Sequence, residues 1–566
     1  MESLMNTHDA RPSPSPSGSP KPSGSPNVPR PTTLTAAWRT RVESTPDAPC
    51  ITYFDTTLSV TATDRLSKSL AAGLLDRGVG PGGRVAVWLQ NIPHFAISML
   101  AIWHVGGIVV PLNPMYRERE LHTVLKSSGA VGLICTPELV EVAGAAATGT
   151  ALSWALAADD TEFQSENDPR VFPPRQGGEA DLATADLPFA LAELSEVFAA
   201  NTGRFPDPTE RRPDDIAMLS YTSGTTGPPK GAQATHSSLL FVALNFIEWA
   251  ELDARDRMLA LAPLFHITGS VIIGLGTLLS QACLVFLNRP RPDVALEAFS
   301  RHKITVTVAP ITMYTALYEL PNARAADFAT VRELFTGGAP VPPAKVAAFE
   351  QRFGKYILNA YGLTESNAGI IGVPRGERAP VHEPTGTLSI GRAMPGVSLR
   401  VLDEAGNEVP AGAAGELELS GDFLASGYWR DPAATETAFP AGRLLTGDVA
   451  IIDDEGWVFL VDRIKDQINT SGYKVWPREV EDVIYEHPAV REVAVVGEPD
   501  DYRGEAVLAY VSLREGQRVS SQELVSFARE RLAAYKTQRR IVFIDELPKT
   551  LTGKIKRRDL RRKVRG

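Results

Sequence analysis

Short apolar runs and longer amphipathic stretches alternate along the first two-thirds of the chain. After residue 31, the apolar spacing predicts helices at residues 34–44 and 66–77 and strands at 51–54 and 84–89. This alternation is typical of α/β layers built on parallel or mixed sheets. The further predicted elements are helices at 95–105, 187–199, 237–249 and 269–279, and strands at 108–110, 130–134, 258–262, 282–287 and 304–309.

The pattern changes after residue 391, where strands dominate. The predicted strands, which indicate a smaller and strongly twisted β region, lie at 398–402, 415–420, 449–453 and 457–461. From about residue 466 the chain predicts a compact α+β module of ordinary small-domain size, with helices at 477–487 and 521–532 and strands at 490–496, 506–513 and 540–544. The predicted fold class is therefore α/β, with a large N-terminal domain of layered α/β sheets plus a distorted β region and a small α+β C-terminal domain.

The length of the chain, 566 residues, is too great for one hydrophobic core and predicts two or more domains. Hydrophobic residues make up 43% and charged residues 22%, as is usual for a soluble globular protein.

The stretch 10–31 differs because it consists almost entirely of Pro, Ser, Gly and other small or polar residues. Such a segment cannot bury enough surface to offset its ordering entropy, so residues 1–31 are predicted to form a disordered Pro/Ser/Gly-rich tail.

Charge and cysteine usage exclude several classes of protein. The net charge of −10 argues against a general nucleic-acid binder. The three cysteines are odd in number and far apart, which excludes a fully paired disulfide framework and favours a reducing, cytoplasmic compartment. The first residues lack the features of a signal peptide. Two apolar stretches, 95–112 and 258–287, are interrupted by Gly, Pro and polar residues, which favours a buried core over a transmembrane helix and leaves peripheral membrane contact open.

The most informative stretch is residues 221–231, which contain four Ser/Thr hydroxyls, three glycines and one lysine. Glycines let the backbone turn tightly, and successive N–H groups in such a turn form a concave anion site. Lys230 adds a positive charge suited to phosphate. A flexible surface loop is the simple alternative. A Walker A loop is disfavoured, because Lys230 is followed by Gly231 rather than by Ser or Thr.

Further motifs follow at residues 261–269, 336–340, 359–366, 446–448, 462–466, 468–481 and 548–558. Taken alone, most of them have a simple structural interpretation. His266 in the first motif is more often a core histidine than a catalytic one. Asp448 belongs to a common kind of acidic turn. The basic segment 548–558 is typical of a charged surface.

In this order, the motifs resemble those of the adenylate-forming enzymes, which include acyl-CoA synthetases, aryl-CoA ligases, luciferases and adenylation domains. The resemblance covers roughly residues 32–560. It implies an N-terminal adenylation domain at 32–464, which holds ATP and the acyl pocket. It also implies a mobile C-terminal domain at 465–566, which rotates about a hinge near Lys465.

For the nucleotide, the resemblance implies that Tyr361 stacks on adenine and that Thr364 reaches the α-phosphate. Asp448 would accept hydrogen bonds from the ribose hydroxyls, with support from Arg463. Glu365 would hold Mg²⁺, because a carboxylate together with phosphate oxygens commonly binds this ion. The other implied residues are Thr222, Ser223, Gly224, Thr225 (a second metal contact), Thr226, Gly227 and Lys230 in the phosphate loop, and Gly338, Ala339, Pro340, Asn359, Ala360 and Gly362 around the adenine and the acyl group.

The resemblance also assigns roles in the two chemical steps. Lys554 would reach the substrate carboxylate and the α-phosphate, and His266 would lie at the mouth of the acyl pocket. Together with Glu365 these are the implied catalytic residues. The residues implied to lie near the pantetheine of CoA are Ser471, Gly472 and Tyr473.

The implied function is an ATP-dependent acyl-CoA synthetase that uses ATP, Mg²⁺ and CoA and forms an acyl-AMP intermediate. Segments 269–279 and 305–317 would line the acyl pocket, and their few polar groups suit an alkyl chain. We therefore predict a medium- or long-chain fatty acid as substrate. An aryl-CoA ligase of the coumarate or benzoate type, and an acyl-AMP ligase that loads a carrier protein, are the alternatives. The oligomeric state, monomer or homodimer, stays open.

Overall fold

The computed structural model describes residues 31–173, 186–222, 229–463, 466–470, 473–500, 504–533, 536–537, 540–550 and 554–565. Apart from Pro31, the predicted tail lies outside the described residues. Residues Thr32–Gly566 form one compact unit.

The first part of the chain alternates helices and strands as the apolar pattern predicts. Its elements are α1 (Leu34–Ser44), β1 (Pro49–Tyr53), β2 (Thr56–Ser59), α2 (Val60–Asp76), β3 (Arg84–Trp88), α3 (Pro93–His104), β4 (Ile108–Pro111), α4 (Glu118–Ser128), β5 (Gly132–Cys135), α5 (Val140–Ala147), β6 (Trp154–Ala157), β7 (Ala190–Glu193), α6 (Leu194–Ala200), β8 (Ile216–Tyr221), β9 (Gly231–Thr235) and α7 (His236–Trp249). Helix α1 has the predicted bounds, because Thr33 caps it by accepting a hydrogen bond from the N–H of Ala36.

The middle of the chain continues the alternation and then becomes mostly β. Its elements are β10 (Arg257–Ala260), α8 (Gly276–Leu279), β11 (Cys283–Phe286), α9 (Pro292–Arg301), β12 (Val306–Val308), α10 (Ile311–Glu319), β13 (Glu333–Gly337), α11 (Pro343–Phe353), β14 (Ile357–Leu363), β15 (Ala368–Gly372), β16 (Val381–His382), β17 (Thr387–Leu388), β18 (Arg392–Ala393), β19 (Ser398–Leu402), β20 (Ala414–Ser420), α12 (Pro432–Ala438), β21 (Leu444–Ile452) and β22 (Val458–Arg463).

The C-terminal module has the predicted order of elements plus a short hairpin and a last helix that the pattern did not predict. Its elements are β23 (Ile468–Thr470), β24 (Tyr473–Val475), α13 (Pro477–Tyr485), β25 (Val490–Asp500), β26 (Gly504–Leu513), α14 (Ser521–Arg529), β27 (Arg540–Phe543) and α15 (Arg557–Arg565). Its strand order is β24-β23-β26-β25, and β27 pairs in parallel with β26.

Two large sheets carry the N-terminal region. One has the order β7-β6-β5-β3-β4-β8-β9 and is parallel except at the β8–β9 edge. The other has the order β18-β15-β14-β13-β12-β10-β11-β1-β2, with a parallel centre and antiparallel edges. Parallel sheets are covered on both faces, which is why their strands are almost wholly apolar. The predicted β region is an antiparallel sheet, β19-β20-β21-β22. The predicted fold class is confirmed.

Helix α3 explains the first apolar stretch that resembles a membrane span. Every one of its residues is buried, including Ser98 and His104. It packs against α2, and the indole N–H of Trp103 donates to the carbonyl of Ala217 in β8 at 2.9 Å. A helix that is apolar on all sides is suited to such an enclosed position. No helix of the described part of the chain is long and apolar enough to cross a membrane.

Two predicted helices differ from the structure. The prediction of a helix at 187–199 is wrong in its first half, where β7 pairs in parallel with β6 and α6 begins only at Leu194. Backbone pairing at the sheet edge outweighs the local helical pattern there.

In the predicted helix at 269–279, Thr268–Leu275 forms a π-helix that α8 continues. π-Helical turns are rare and are frequently found near functional sites.

Asn91 ties the loop after β10 to the rest of the core. Its buried side-chain amide donates to the carbonyls of Ala260 and Ala262 at 2.9 and 3.1 Å. Its Oδ1 accepts from the backbone N–H of Leu264 at 2.8 Å. These bonds satisfy three backbone groups at and after the end of β10, and they fix the loop that leads to His266.

We expect Asn91→Ala to lower the free energy of unfolding by about 3 kcal/mol, because it leaves buried polar groups unsatisfied. Urea unfolding followed by tryptophan fluorescence measures the change. The exposed Asn407→Ala, which removes only a bond to Asp403, is the matched control and should change stability by less than about 0.5 kcal/mol. Similar losses in both variants would contradict the role given to Asn91.

Candidate active site

The candidate site forms where neighbouring parallel strands of the large sheet end. Strand β13 ends at Gly337 and β14 ends at Leu363, and the two strands pair in parallel. Gly338, immediately after β13, has φ of +79°, which glycine adopts without strain. Ligand sites of open α/β sheets lie beyond the carboxyl ends of the strands. This edge therefore suits a bound small molecule.

A cavity of about 580 Å³ opens at this edge. Residues from the large sheet, the antiparallel β region and the C-terminal module all contribute to its walls. The predicted site residues that line it are Gly338, Ala339, Pro340, Asn359, Ala360, Tyr361, Gly362, Asp448 and Lys554. The structure thus brings together residues that are up to 216 positions apart, from Gly338 to Lys554, in one cavity.

Tyr361 and Asp448 are joined directly. The phenol of Tyr361 donates to Oδ2 of Asp448 at 2.6 Å, and both side chains are mostly buried. Asp448 lies on β21 next to Gly447, whose φ is +70°. Its own N–H donates to the hydroxyl of Thr446 at 3.1 Å. The glycine kink and the threonine bond orient the carboxylate of Asp448 toward the cavity wall formed by Tyr361.

Glu365 lies in the turn after β14 and is held by a tyrosine that the sequence did not indicate. The phenol of Tyr428 donates to Oε1 of Glu365 at 2.6 Å. Burial, and secondarily the charge of Glu365, raise the pKa of Tyr428, so the phenol stays protonated. The Nζ of Lys230 lies 5.1 Å from the centre of the same ring. Tyr428 therefore connects the Glu365 motif to the lysine of the 221–231 loop.

The described ends of the 221–231 loop form a closed hairpin neck. The N–H of Thr222 donates to the carbonyl of Lys230 at 2.9 Å, and the N–H of Lys230 donates to Oγ1 of Thr222 at 3.2 Å. The predicted phosphate-loop residues between them lie outside the described residues: Ser223, Gly224, Thr225, Thr226 and Gly227.

Several predicted residues of the hinge and of the CoA path also lie outside the described part. These are Lys465, Ser471 and Gly472, together with the side chains of Arg463 and Tyr473. The backbone of Arg463 ends β22 and pairs with Asp448 across the β21–β22 ladder.

The turn that contains Thr364 is fixed by Ser366, whose hydroxyl accepts from the N–H of Leu363 at 2.8 Å.

His266 lies in the loop that Asn91 anchors. The backbone N–H of Thr268 approaches its Nδ1 at 3.5 Å, and the carbonyl of His266 accepts from the N–H of Ser270 at 2.9 Å, where the π-helix begins. Burial and, secondarily, the positive charge of Lys554 lower the pKa of His266 to about 3. The imidazole is therefore neutral at physiological pH and adds no positive charge to the cavity.

Lys554 reaches the cavity from a hairpin of the C-terminal module. The carbonyl of Lys554 accepts from the N–H of Thr550 at 2.6 Å, and its N–H donates to Oγ1 of Thr550 at 3.0 Å. A Cβ atom at Gly338 would lie 3.7 Å from Cε of Lys554, so the lysine stem passes next to this glycine.

A buried ion network holds the hairpin of Lys554 in place. Three residues after this lysine, Arg557 binds Glu481 of α13 at 2.7 Å. It also lies 3.4 and 3.6 Å from the carboxylates of Asp466 and Asp462. Burial would lower the pKa of Arg557, but the three carboxylates raise it above its usual value, so it stays charged. Sequence reasoning missed Arg557, because its partners are 76 to 95 residues away.

A second, smaller cavity of about 40 Å³ lies behind Gly338 and Tyr361. Of the two segments predicted to line the acyl pocket, Ile272 and Val308 contribute to its wall. Thr336 of the predicted motif 336–340 also lines it, as do the predicted residues Gly338, Ala360, Tyr361 and Gly362. The lining residues that were not predicted include Phe246, Trp249, Phe335, Gly369, Gly372 and Met394. Gly274 and Gly276, two glycines of the predicted segment 269–279, instead lie at contact distance from Met99 and Phe246.

Comparison with known proteins identifies the family. The profile of the AMP-binding enzymes matches residues 38–429, and that of the AMP-binding enzyme C-terminal domain matches residues 479–554. The chain belongs to the AMP-binding enzyme family. It is similar to a feruloyl-CoA synthase of Amycolatopsis sp, at 34% identity over 92% of this chain and 97% of the relative. It is also similar to a long-chain-fatty-acid–CoA ligase of Bacillus subtilis (strain 168), at 32% identity over 91% of each chain.

Solved structures agree with this assignment. ATP-bound MatB from Rhodopseudomonas palustris superposes with a TM-score of 0.82 at 26% identity, covering 94% of this chain and 98% of that one. The predicted family and the predicted class, an acid–thiol ligase that forms AMP, are confirmed. The roles of the individual site residues stay predictions, and the described geometry brings only part of them together in one cavity.

The lowered pKa of His266 makes the stability of this AMP-binding enzyme depend on pH. In the unfolded chain His266 binds a proton near pH 6.5, whereas in the folded chain it does so only near pH 3. The unfolded chain therefore binds more protons in this window, so the free energy of unfolding falls as the pH is lowered through it. Burial also lowers the pKa of His236 and of His302 to about 4, which adds to the same trend.

We expect His266→Gln to flatten the fall in the free energy of unfolding between pH 6.5 and pH 4. Urea unfolding at a series of pH values measures the slope. Asn407→Ala, which carries no titratable group, should retain the wild-type slope. A His266→Gln protein with the same slope as the wild type would show that this imidazole is protonated in the folded state.

Proposed function

We propose that this AMP-binding enzyme activates a compact, apolar carboxylic acid, best an aromatic one, and transfers it to CoA. The single observation that carries the proposal is that Lys554, Gly338 and the bonded Tyr361–Asp448 pair share one cavity, and that a small apolar pocket shares Gly338 and Ala360–Gly362 with its wall. The nucleotide, the carboxylate and the apolar tail must bind next to one another. The Tyr361–Asp448 pair, Lys554 and the apolar pocket would hold these three parts in that order.

In the first step, a carboxylate oxygen attacks the α-phosphorus of ATP, the bond to the bridging oxygen breaks and pyrophosphate leaves. Both reactants are anionic, so positioning and charge stabilisation lower the barrier most. Lys554 supplies positive charge between the carboxylate and the α-phosphate, which Thr364 also contacts. Thr222 and Lys230 hold the outer phosphates at the neck of the loop. Neutral His266 does not compete with Lys554 for these anions.

The nucleoside binds beside Tyr361, whose phenol already holds the carboxylate of Asp448. Adenine stacks on Tyr361, next to Gly338–Pro340 and Asn359–Gly362. The ribose hydroxyls donate to the carboxylate of Asp448, which the phenol of Tyr361 holds at 2.6 Å. A carboxylate that accepts from paired hydroxyls is a recurring feature of nucleotide sites.

The residues around Glu365 fit a Mg²⁺ ion. The Tyr428 phenol orients the carboxylate of Glu365. Within the described residues, no three or more His, Cys, Asp or Glu side chains lie together as a metal site. Mg²⁺ is commonly held by one or two carboxylates plus phosphate oxygens and water. Glu365 is therefore the protein ligand we propose, with Thr225 as a second contact. When bound, the ion would neutralise part of the phosphate charge.

In the second step, the CoA sulfur attacks the acyl carbon, the bond from that carbon to the phosphate oxygen breaks and AMP leaves. We propose that the module 465–566 rotates about Lys465 relative to 32–464 between the two steps. This motion would withdraw Lys554, separate Arg557 from Asp462 and bring Ser471, Gly472 and Tyr473 toward the pantetheine. Such gating between chemical steps is an established role of mobile domains.

The small pocket argues against a long alkyl chain, and the similarity to a feruloyl-CoA synthase favours an aromatic acid. Its 40 Å³ is far below the roughly 300 Å³ or more of a pocket that encloses a drug-sized ligand. Trp249 closes one side, and its indole N–H donates to the carbonyl of Val373 at 3.3 Å. The medium- or long-chain fatty acid is the second candidate. Two observations favour it: the similar ligase from Bacillus subtilis, and the flexible Met394 in the wall, whose movement would lengthen the pocket.

A direct assay tests the proposal. The protein is incubated with ATP, Mg²⁺ and CoA and with matched panels of fatty and aryl acids, and AMP and thioester are measured. We expect both products, with the highest kcat/KM for an aryl acid. AMP without thioester would favour the carrier-loading alternative, and no AMP with any acid would overturn the proposal.

We expect Lys554→Ala to slow acyl-AMP formation by about 10²- to 10³-fold, because it removes positive charge from the place where the two anions meet. Thioester formation from supplied acyl-AMP should persist. Pyrophosphate exchange and single-turnover thioester assays separate the two steps. Lys126→Ala, exposed on α4, is the matched control. Exchange at the wild-type rate in Lys554→Ala would refute the assignment.

We expect Lys465→Pro to slow thioester formation more than acyl-AMP formation, because proline fixes φ at the proposed hinge. The same two assays measure the ratio of the half-reaction rates. Lys465→Ala removes the side chain but keeps backbone freedom, so it should retain most of the wild-type ratio. Equal losses in both half-reactions of the proline variant would contradict a hinge at this position.

A further inference from the structure

Helix α13 (Pro477–Tyr485) connects the hairpin of Lys554 to the N-terminal region. Most of its residues are buried, including the charged Arg478 and Glu481. Charged side chains are rarely buried unless they have partners, so these two indicate that other parts of the protein cover the helix. On one side, Glu481 binds Arg557 of the Lys554 hairpin at 2.7 Å. The hairpin therefore follows the position of α13.

The first end of α13 is held by the end of strand β22. The N–H of Arg478, in the first turn of the helix, donates to Oδ2 of Asp462 at 3.1 Å. The guanidinium of Arg478 donates to the carbonyl of Leu460 at 3.2 Å. A carboxylate at this place satisfies a helix N–H group and interacts favourably with the helix dipole. Trp476, which precedes the helix, has no side-chain acceptor, so Asp462 supplies one from outside the module.

The same carboxylate also reaches the hairpin of Lys554. Its Oδ1 lies 3.6 Å from Nη1 of Arg557, and the side chain of Asp462 is only 3% exposed, so water and salt screen this attraction little. In the β21–β22 ladder Asp462 pairs with Val449, the residue after Asp448. The carboxylate proposed for the ribose and the carboxylate that contacts the module therefore lie on neighbouring rungs of one ladder.

The last residue of α13 makes a second contact with the N-terminal region. The Nζ of Lys345, on α11, lies 5.0 Å from the centre of the Tyr485 ring, and the ring attracts a cation at this position. Both residues line the cavity that Lys554 also lines. The two ends of α13 are roughly 10 Å apart at the rise of a helix. Contacts at both ends fix the orientation of the helix as well as its position.

We propose that Asp462 and Lys345 are positioning residues for the first half-reaction, because together they hold α13 where the hairpin of Lys554 reaches the cavity. This inference rests on the proposed function and adds the contacts that decide which half-reaction the module serves. Loss of either contact lowers the fraction of molecules in which Lys554 is in place. The second half-reaction, for which the module leaves this position, does not need these contacts.

The test removes one holding group at a time, with Asp462→Ala and Lys345→Met. Pyrophosphate exchange and single-turnover thioester formation from supplied acyl-AMP are measured with the acid that the wild type uses best. We expect each variant to slow acyl-AMP formation about five- to tenfold, the scale of one lost polar contact, without slowing thioester formation. Lys345→Arg, which keeps a cation for the Tyr485 ring, should retain the wild-type ratio of the two rates.

Asp256→Ala is the matched control, because Asp256 is a similarly buried carboxylate whose partners all lie in the N-terminal region. It binds Arg332 at 2.9 Å and accepts from the hydroxyl of Thr305 at 2.7 Å. Asp256→Ala should lower the thermal unfolding midpoint and leave the ratio of the half-reaction rates unchanged. A shift of this ratio as large as that in Asp462→Ala would show that any lost buried charge pair has the same effect, and would overturn the proposal.

Hydrogen–deuterium exchange of the ligand-free proteins gives a readout that does not depend on activity. Amides of residues 477–485 should exchange faster in Asp462→Ala and in Lys345→Met than in the wild type, and at the wild-type rate in Asp256→Ala. Wild-type exchange in both positioning variants would overturn the proposal. If Asp462→Ala does not fold, Lys345→Met and Lys345→Arg decide the matter by the same measurements.

The remaining outcomes distinguish this inference from the proposed function. Equal losses in both half-reactions of Asp462→Ala and Lys345→Met would overturn the positioning role and leave the ligase function standing. No AMP from the wild type with any acid would overturn the proposed function, and this inference with it.

Discussion

The approach of Lys554 to Gly338 is the contact on which the rest of the site depends. It places the cation of the C-terminal module at the carboxyl ends of the central strands, where the lysine stem passes beside Gly338. The hairpin is held there by Arg557, which Glu481, Asp466 and Asp462 surround. Of these three carboxylates, only that of Asp462 lies outside the C-terminal module, so the proposed rotation would separate this one from Arg557.

Two phenols each hold one carboxylate in the same manner. Tyr361 donates to Asp448 in the cavity wall, and Tyr428 donates to Glu365 in the turn after β14, each at 2.6 Å. The phenols supply one donor to each carboxylate, which fixes its direction. The two carboxylates proposed for ribose and for Mg²⁺ are thereby oriented before any ligand arrives, which is how a binding site limits the entropy lost on association.

The apolar pocket shows how size limits the choice of substrate. Aromatic side chains make it small, and the hydrogen bond from Trp249 to Val373 holds one wall. A hydrophobic pocket discriminates only weakly between acids of similar size, so we expect this wall to select against long chains rather than between related short acids.

The sequence by itself determined the α/β alternation of the N-terminal region, the family and the candidate residues that stand in short motifs, such as Tyr361, Asp448 and Lys554. Such features depend on residues close together in the chain, where spacing and turn chemistry act. Only the tertiary structure decided the roles of Asn91, Tyr428, Arg557 and Lys345, and it corrected the helix predicted at 187–199. The partners of these residues come from distant segments, and whether a buried amide or guanidinium finds a partner depends on packing that no local pattern records.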